Sequence, residues 1–341
     1  MTSVLRGPAG SRLTLPPRAR LALLPTPLVP APRLAGALGL GELFIKRDDL
    51  TGFAFAGNKA RPLEFLAAGA VSGGADTLLT GGAAGSNFCA ATAAAAQREG
   101  LACHLVIAGD PAPPGPALSL AMAWGATVSW TRDADRASVD RALPRAAREL
   151  AAAGRRPYLI PRGGATALGA VGYFLAASEL AGQLAGHGVR AARVVVAVGS
   201  GGTLAGLAAG NAALGRPWTL VGASASRPAA EMSRRVLGLA AECLALLAAG
   251  PGTAGAAITR AAMTGADVEV ADVRGPGHGL PSAEGAAAAA QAVRTEGLMT
   301  DPVYTAKALS LVARQPGAGA VVFWHTGGML DVVAAAQEAA P

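Results

Sequence analysis

The chain has 341 residues, a formal net charge of +7 and a 52% apolar content rich in alanine, with only 4% aromatic residues. That length supports one large or two moderate domains with a buried core. The positive charge comes from scattered arginines, without a dense basic block or interleaved aromatics, which argues against nucleic-acid binding. The apolar stretches near 83–96 and 236–249 are too short to span a membrane and are interrupted by Ser86, Asn87 or Glu242. Cys89, Cys103 and Cys243 have no metal-ligand spacing, so no metal is expected, and their odd number fits a reducing cytoplasm.

In chain order, residues 1–41 carry five arginines and no acid. Their Pro-rich text lacks an apolar h-region, which argues against a secretory leader, and residues 1–20 are expected to be poorly ordered. Short apolar strands then fall near 43–47, 76–80, 103–107, 126–130, 156–160, 193–198, 218–223, 267–271 and 319–323. Alanine-rich helices fall near 59–73, 87–99, 115–124, 135–153, 166–184, 202–213, 228–249, 282–296 and 327–338. Strands alternating with helices imply βαβ units and parallel sheets covered on both faces. Nine strands divide naturally between two sheets in two domains. The expectation is an α/β, three-layer αβα architecture with mostly parallel twisted sheets. A small domain over 57–166 is inserted between 1–56 and 167–341, which together form the large one.

Lys59 is the first residue to suggest chemistry. The chain holds three lysines, Lys46, Lys59 and Lys307, and draws the rest of its 29 basic side chains from arginine. Arginine cannot lose its proton and attack a carbonyl, whereas lysine can. Asn58 is a suitable N-cap, which would place Lys59 in a first helical turn where the helix dipole disfavours an ammonium. Taken alone, a lysine there is a solvated surface residue, and the segments that follow change that reading.

In open α/β sheets, ligands bind where strands end and helices begin. Val194–Val198 runs into Gly199-Ser200-Gly201-Gly202-Thr203. Backbone N–H groups of such a turn converge on an anion, and the Ser200 and Thr203 hydroxyls add donors. Leu204 breaks a dinucleotide fingerprint, so a cradle for one phosphate is favoured over a bare turn. Ser86 and Asn87 follow another strand, where either N-capping or a carboxylate contact is expected. His278 lies in a Gly- and Pro-dense loop and is read two ways: a solvated histidine, or a catalytic proton-transfer group fixed over a pocket, whose ionisation would fall near neutrality. Tyr304 is one of three tyrosines, and Thr326 follows the last strand, after the strand-end His325. A reactive lysine, a single-phosphate cradle and hydroxyls on a parallel sheet together suggest pyridoxal 5′-phosphate.

The text at Pro25–Leu28, Ile45–Gly52, Gly57–Glu64, Gly81–Asn87, Gly199–Thr203, Gly275–Pro281, Asp301–Thr305 and His325–Gly328 resembles the D-cysteine desulfhydrase and 1-aminocyclopropane-1-carboxylate (ACC) deaminase family. This family lies within the tryptophan-synthase-β-like, fold type II group. The resemblance covers about residues 22 to 335. It implies that Lys59 is the imine-forming lysine and that Asn87 contacts the cofactor's ring hydroxyl. It likewise implies that Gly199, Ser200, Gly201, Gly202 and Thr203 hold the phosphate, with Ser86 and Tyr304 acting near the substrate. Thr305 stands where the deaminases have Glu. Beside the ring nitrogen, as is Thr326, it would leave the pyridine neutral and favour the desulfhydrase branch.

The departures are Gly85 and Phe88 where the family has Gln and His, Pro62 where it has a phosphate-binding Lys, and His278 where it has Tyr. The expectation is a cytoplasmic homodimer that performs α,β-elimination on a small amino acid. The alternatives are ACC deaminase activity, or a low-turnover or specialised paralogue acting on a larger amino acid.

Overall fold

The computed structural model describes residues 4–6, 12–249, 263–314 and 319–338. The strands are β1 (Val4–Arg6), β2 (Arg12–Thr14), β3 (Leu28–Pro30), β4 (Glu42–Arg47), β5 (Thr77–Gly82), β6 (Ala102–Ile107), β7 (Thr127–Trp130), β8 (Pro157–Leu159), β9 (Ala192–Val198), β10 (Trp218–Ser224), β11 (Glu269–Asp272) and β12 (Ala320–His325). The helices are α1 (Pro32–Leu38), α2 (Ala60–Ser72), α3 (Asn87–Arg98), α4 (Pro116–Ala123), α5 (Ala137–Ala152), α6 (Ala167–Gly186), α7 (Gly202–Ala213), α8 (Ala229–Ala248), α9 (Ala283–Glu296), α10 (Thr305–Ala313) and α11 (Met329–Glu338).

Two main sheets form. One has six strands in the order β11-β10-β9-β12-β4-β3, and the other has four in the order β7-β6-β5-β8. All pairings in both are parallel except β3 with β4. Because successive strand residues face opposite sides, β9 feeds two cores at once. Val194 and Val196 pack with Phe174 of α6 and Leu204 of α7, while Val195 and Ala197 pack with Leu34 of α1 and Leu309 of α10. The four-stranded sheet repeats the pattern. Leu78 and Leu105 lie in one core with α2 and α3, and Leu79 and Val106 lie in another with Val139 and Leu143 of α5. The result is three αβα layers around each sheet, as the alternation of elements led us to expect. Among the described residues no helix is long and apolar enough to cross a membrane.

Beside the added strands β1, β2 and β3 and helix α1, three features differ from the expectation. Part of the N-terminal segment is anchored rather than loose: Leu15 is buried, and Arg18 pairs with Glu64 at 2.7 Å. Glu64 is itself buried, and its Oε1 accepts from the Leu21 and Ala22 amides, both at 3.1 Å. A buried carboxylate needs donors, and this segment supplies them. Residues 1–3 and 7–11 lie outside the described residues, while β1 pairs with β2 in an antiparallel ladder. Second, α10 occupies a stretch where no helix was expected. Asp301 starts it by accepting from the amides of Val303, Tyr304 and Thr305 at 3.0, 2.7 and 2.9 Å. Third, α2 is preceded by a 3-10 turn over Gly57–Lys59, so Asn58 does not cap the helix.

Candidate active site

The strands of both sheets direct their C-terminal ends toward a shared cavity of about 800 Å³, within the usual range for small-molecule sites. Lys59 and Asn58 reach it from the 3-10 turn, Ser86 and Asn87 from the end of β5, and Gly199, Ser200, Gly201 and Thr203 from the end of β9. Thr326 arrives from β12, and His278 and Tyr304 from the late loops. Gly202 faces a side recess shared with Lys59, Pro62 and Thr203. The structure thus gathers every predicted site residue except Thr305.

Thr305 is fully buried, and its hydroxyl is already committed. It donates to Asp301 Oδ2 at 2.5 Å and accepts from the Asp301 amide at 2.7 Å. Asp301, not Thr305, stands on the cavity wall. The expected contact between Thr305 and a ring nitrogen therefore has no support in this geometry, because the residue is turned into the start of α10.

Lys59 differs from the other two lysines. Lys46 is fully buried and donates to Thr26 O at 2.6 Å and Gln183 Oε1 at 2.8 Å, besides pairing with Glu179. Lys307 donates to the carbonyls of Arg274 and Gly277 at 2.7 and 3.3 Å. Among the described residues the Lys59 amine has no hydrogen-bond partner. Burial pushes its pKa down to about 8, and the nearby Asp301 carboxylate opposes the shift. Burial, and not the helix dipole expected from the sequence, is the larger cause. Near neutral pH the lowered value raises the neutral amine fraction well above that of an ordinary lysine.

Backbone geometry fixes this position. Gly57 has φ +53, and a Cβ there would lie 2.4 Å from Thr326 O. Only glycine fits, and the Asn58 amide then donates to Thr326 O at 2.8 Å. The Asn58 side chain, which caps no helix, donates instead from Nδ2 to Thr203 Oγ1 at 3.0 Å and so ties the lysine turn to the glycine-rich loop. That loop turns at Gly201, which has φ +99 at the N-cap of α7. A sharp turn into a helix N-terminus presents amide donors to an anion.

Ser86 caps α3, its Oγ accepting from the Cys89 amide at 3.3 Å. Asn87 Nδ2 donates to Asp331 Oδ2 at 2.8 Å, while Asn87 Oδ1 is buried without a hydrogen-bond partner. Burial pushes Asp331 up to about 6, the Asn87 donor opposes this, and Asp301 adds to it. His278 Nε2 and Tyr304 OH lie 3.0 Å apart, with the rings edge to face. Burial, then the positive charges of Arg136, Lys307 and Arg162, push His278 down to about 4. The near-neutral ionisation expected of it is thereby corrected: the ring stays neutral at physiological pH. Burial raises Tyr304, Arg136 opposes this, and Asp301 and Asp331 add to it.

A profile of the family described as pyridoxal-phosphate dependent enzymes matches residues 19–327. The chain belongs to the pyridoxal-phosphate dependent enzyme family. A D-cysteine desulfhydrase of Klebsiella pneumoniae (strain 342) is 40% identical to it over 332 residues, covering 93% of this chain and 95% of that protein. A solved ACC deaminase homologue is 32% identical with a TM-score of 0.81, covering 95% of each chain. The fungal L-serine ammonia-lyase of Rhizomucor miehei, at 18% identity and a TM-score of 0.66 over 93% of this chain and 98% of that one, shares the fold.

The residues present fit the family's cofactor, pyridoxal phosphate. The free amine at Lys59, the amide-rich turn at Gly199–Thr203 and the orphaned Asn87 Oδ1 match an aldehyde, a phosphate and a ring hydroxyl in turn. Asn58, Asp301, Asp331 and Arg136 also line the cavity and were missed by sequence reasoning. For Asp301 the signal was present, since Asp a few residues before a helix is a capping signature. Arg136 is far from Tyr304 in sequence, and nothing local marks it.

Proposed function

We propose that the protein eliminates the β-substituent of a small amino acid, in the manner of the D-cysteine desulfhydrase it resembles. The products are a 2-oxo acid, ammonia and a leaving group such as sulfide. One observation carries the reading: of three lysine amines, only that of Lys59 faces the cavity and lacks a hydrogen-bond partner. Pyridoxal phosphate, when bound, supplies the electron sink that acidifies the α-carbon. Lys59 holds the cofactor and, once freed, offers Nζ as the base for the α-proton. Gly199, Ser200, Gly201, Gly202 and Thr203 would hold the phosphate, and Asn58 orients the Thr203 hydroxyl. Asn87 Oδ1, which has no partner, would accept from the ring hydroxyl, and Thr326 would contact the ring. Ser86 Oγ lies near the substrate. Tyr304 OH gives its proton to the departing group, with His278 Nε2–H donating to the phenol oxygen behind it.

With Thr305 off the wall, preference for the desulfhydrase branch over the ACC deaminase rests on the 40% identical relative. The reading includes 57–166 as the smaller unit, supported by β5 to β8 forming a sheet of their own. It also includes a homodimer and a cytoplasmic location, the latter supported by three buried free thiols.

Borohydride reduction with peptide mapping, followed by a screen of D- and L-amino acids for 2-oxo acid release, tests the reading. The expected result is a pyridoxyl label on Lys59, and pyruvate with sulfide from D-cysteine. A label on Lys46 or Lys307, or none, overturns the lysine assignment. 2-Oxobutyrate from ACC would move the protein to the deaminase branch.

A further inference from the structure

The cavity has a charged rim beyond the groups the proposed reaction uses. Arg136, Arg162, Arg227 and Arg235 line it, with Asp135, Asp140 and Glu231 among them. Most of these charges are already paired. Arg162 grips Asp140 with Nε–Oδ1 at 2.7 Å and Nη2–Oδ2 at 2.5 Å. Arg227 pairs with Glu231. Asp135 faces Arg141 at 3.6 Å, and its Oδ1 accepts from the Ala137 amide at 3.0 Å. Arg235 is tied to the phosphate end, where its Nε donates to Ser200 O at 2.8 Å.

The Arg136 guanidinium has no hydrogen bond or ion pair among the described residues. It lines the cavity together with Tyr304 and His278. Gly85 also lines the cavity, and a Cβ added there would meet nothing within 4 Å. Open space at Gly85 and one unpaired guanidinium therefore line the same cavity. A guanidinium is the side chain best matched to a carboxylate or a similar oxyanion.

Resting on the elimination proposed above, we infer that the preferred substrate is an amino acid whose β-substituent itself carries an anionic group, which Arg136 binds in the space beside Gly85. For a carboxylate-bearing thioether, the Cα–H and Cβ–S bonds break and the thiol leaves with the electron pair and a proton. One water then completes the release of pyruvate and ammonia, with no oxidant or reductant needed.

The test uses the holoenzyme and two near-isosteric ligands in both enantiomers: S-(carboxymethyl)cysteine and its neutral amide, S-(carbamoylmethyl)cysteine. Titration of the lysine-linked cofactor's absorbance gives Kd, and pyruvate release gives kcat/KM. If the wild type lacks that absorbance, the pyridoxal-phosphate reading itself fails, separately from this inference. With the absorbance present, the carboxylate compound should be favoured about tenfold in both measures, the lower end of a hydrogen bond to a charged group. Arg136→Gln should bring that ratio near one, and Arg136→Lys should restore part of it. Three outcomes overturn the inference: equal behaviour of the two ligands, no response to either, or an Arg136→Gln variant that weakens both by the same factor. The last would place Arg136 on the α-carboxylate, which the ligands share.

Discussion

Lys59 and Arg61 stand two residues apart at the start of α2, and burial treats them in opposite ways. Two helical residues apart is about 200° of turn, so the side chains leave opposite faces. Arg61 enters a closed network. Its Nε and Nη2 donate to Asp48 at 2.9 and 2.8 Å, and Nη1 and Nη2 donate to Glu179 at 3.0 and 2.9 Å. Tyr173 OH and Trp324 Nε1 complete Asp48 at 2.5 and 2.9 Å. Lys59 enters a cavity where its amine has no such partner. A buried charge with every hydrogen bond made is held in place. A buried amine without partners is pushed toward its neutral, nucleophilic form. The same helix start therefore serves architecture on one face and chemistry on the other.

The largest expected contrast comes from removing each group in turn. Lys59→Ala should abolish the lysine-linked cofactor absorbance and all elimination, while leaving the unfolding midpoint of the cofactor-free protein equal or higher. Arg61→Met should do the reverse to stability. It leaves the buried Asp48 without its cationic partner and leaves Glu179 only the Lys46 cation, at a cost of about 3–5 kcal/mol. Urea unfolding of both variants, with absorbance spectra, checks the pair. If Lys59→Ala destabilised the fold as much as Arg61→Met, the division of labour along α2 would be wrong.

This division was only half legible in the sequence. Lys59 stood out through lysine scarcity, and Ser86, Asn87, Thr203 and Thr326 through their position after strands, because parallel strands bring their C-terminal ends together. Arg61, Asp48 and Glu179 gave no signal, since their meeting depends on how α6 packs beside α2. Thr305 was misplaced for a related reason. Its neighbour Asp301 claims it as part of a helix start that the short run 305–313 did not reveal, with the buried Lys307 and Ser310 breaking its apolar pattern. Asn58 looked like a cap because it precedes a helix, whereas the intervening 3-10 turn releases its side chain to Thr203.

A pH experiment sharpens the network side. Burial works to raise Asp48, but Arg61 and the donors from Tyr173 and Trp324 outweigh it, and its pKa falls to about 2 from the ordinary 3.8. A carboxyl depressed on folding stabilises the native state above its ordinary pKa, and that stability is lost as pH falls through the folded value. The window here is about pH 4 to pH 2, and the loss is about 2 kcal/mol. Glu179 is also shifted down, with Arg61 and Lys46 outweighing burial, so it contributes in the same direction. Asp48→Asn should be less stable than wild type at pH 7, and the gap should close on acidification. A gap that stays constant from pH 7 to pH 2 would show that Asp48 is not held ionised by the network.

The smallest effect belongs to His278, on the cavity side. The ring is neutral above about pH 4 because burial and three nearby cations disfavour its charged form. In the proposed reaction it would act through Tyr304, whose phenol lies 3.0 Å from Nε2, as a positioning residue. Losing one neutral hydrogen bond costs about 0.5–1.5 kcal/mol, so His278→Phe should lower kcat only about 2- to 12-fold. His278→Gln keeps a donor and should recover part of that loss. The pH–rate profile separates this role from general acid–base catalysis. Between pH 5.5 and 8 the wild type and His278→Phe should show the same limbs, because no proton enters or leaves the ring in that range. A near-neutral limb that vanishes in His278→Phe would mean that the ring titrates during turnover. The contrast between a saturated network and a reactive cavity would then have to count His278 among the titrating groups of the cavity.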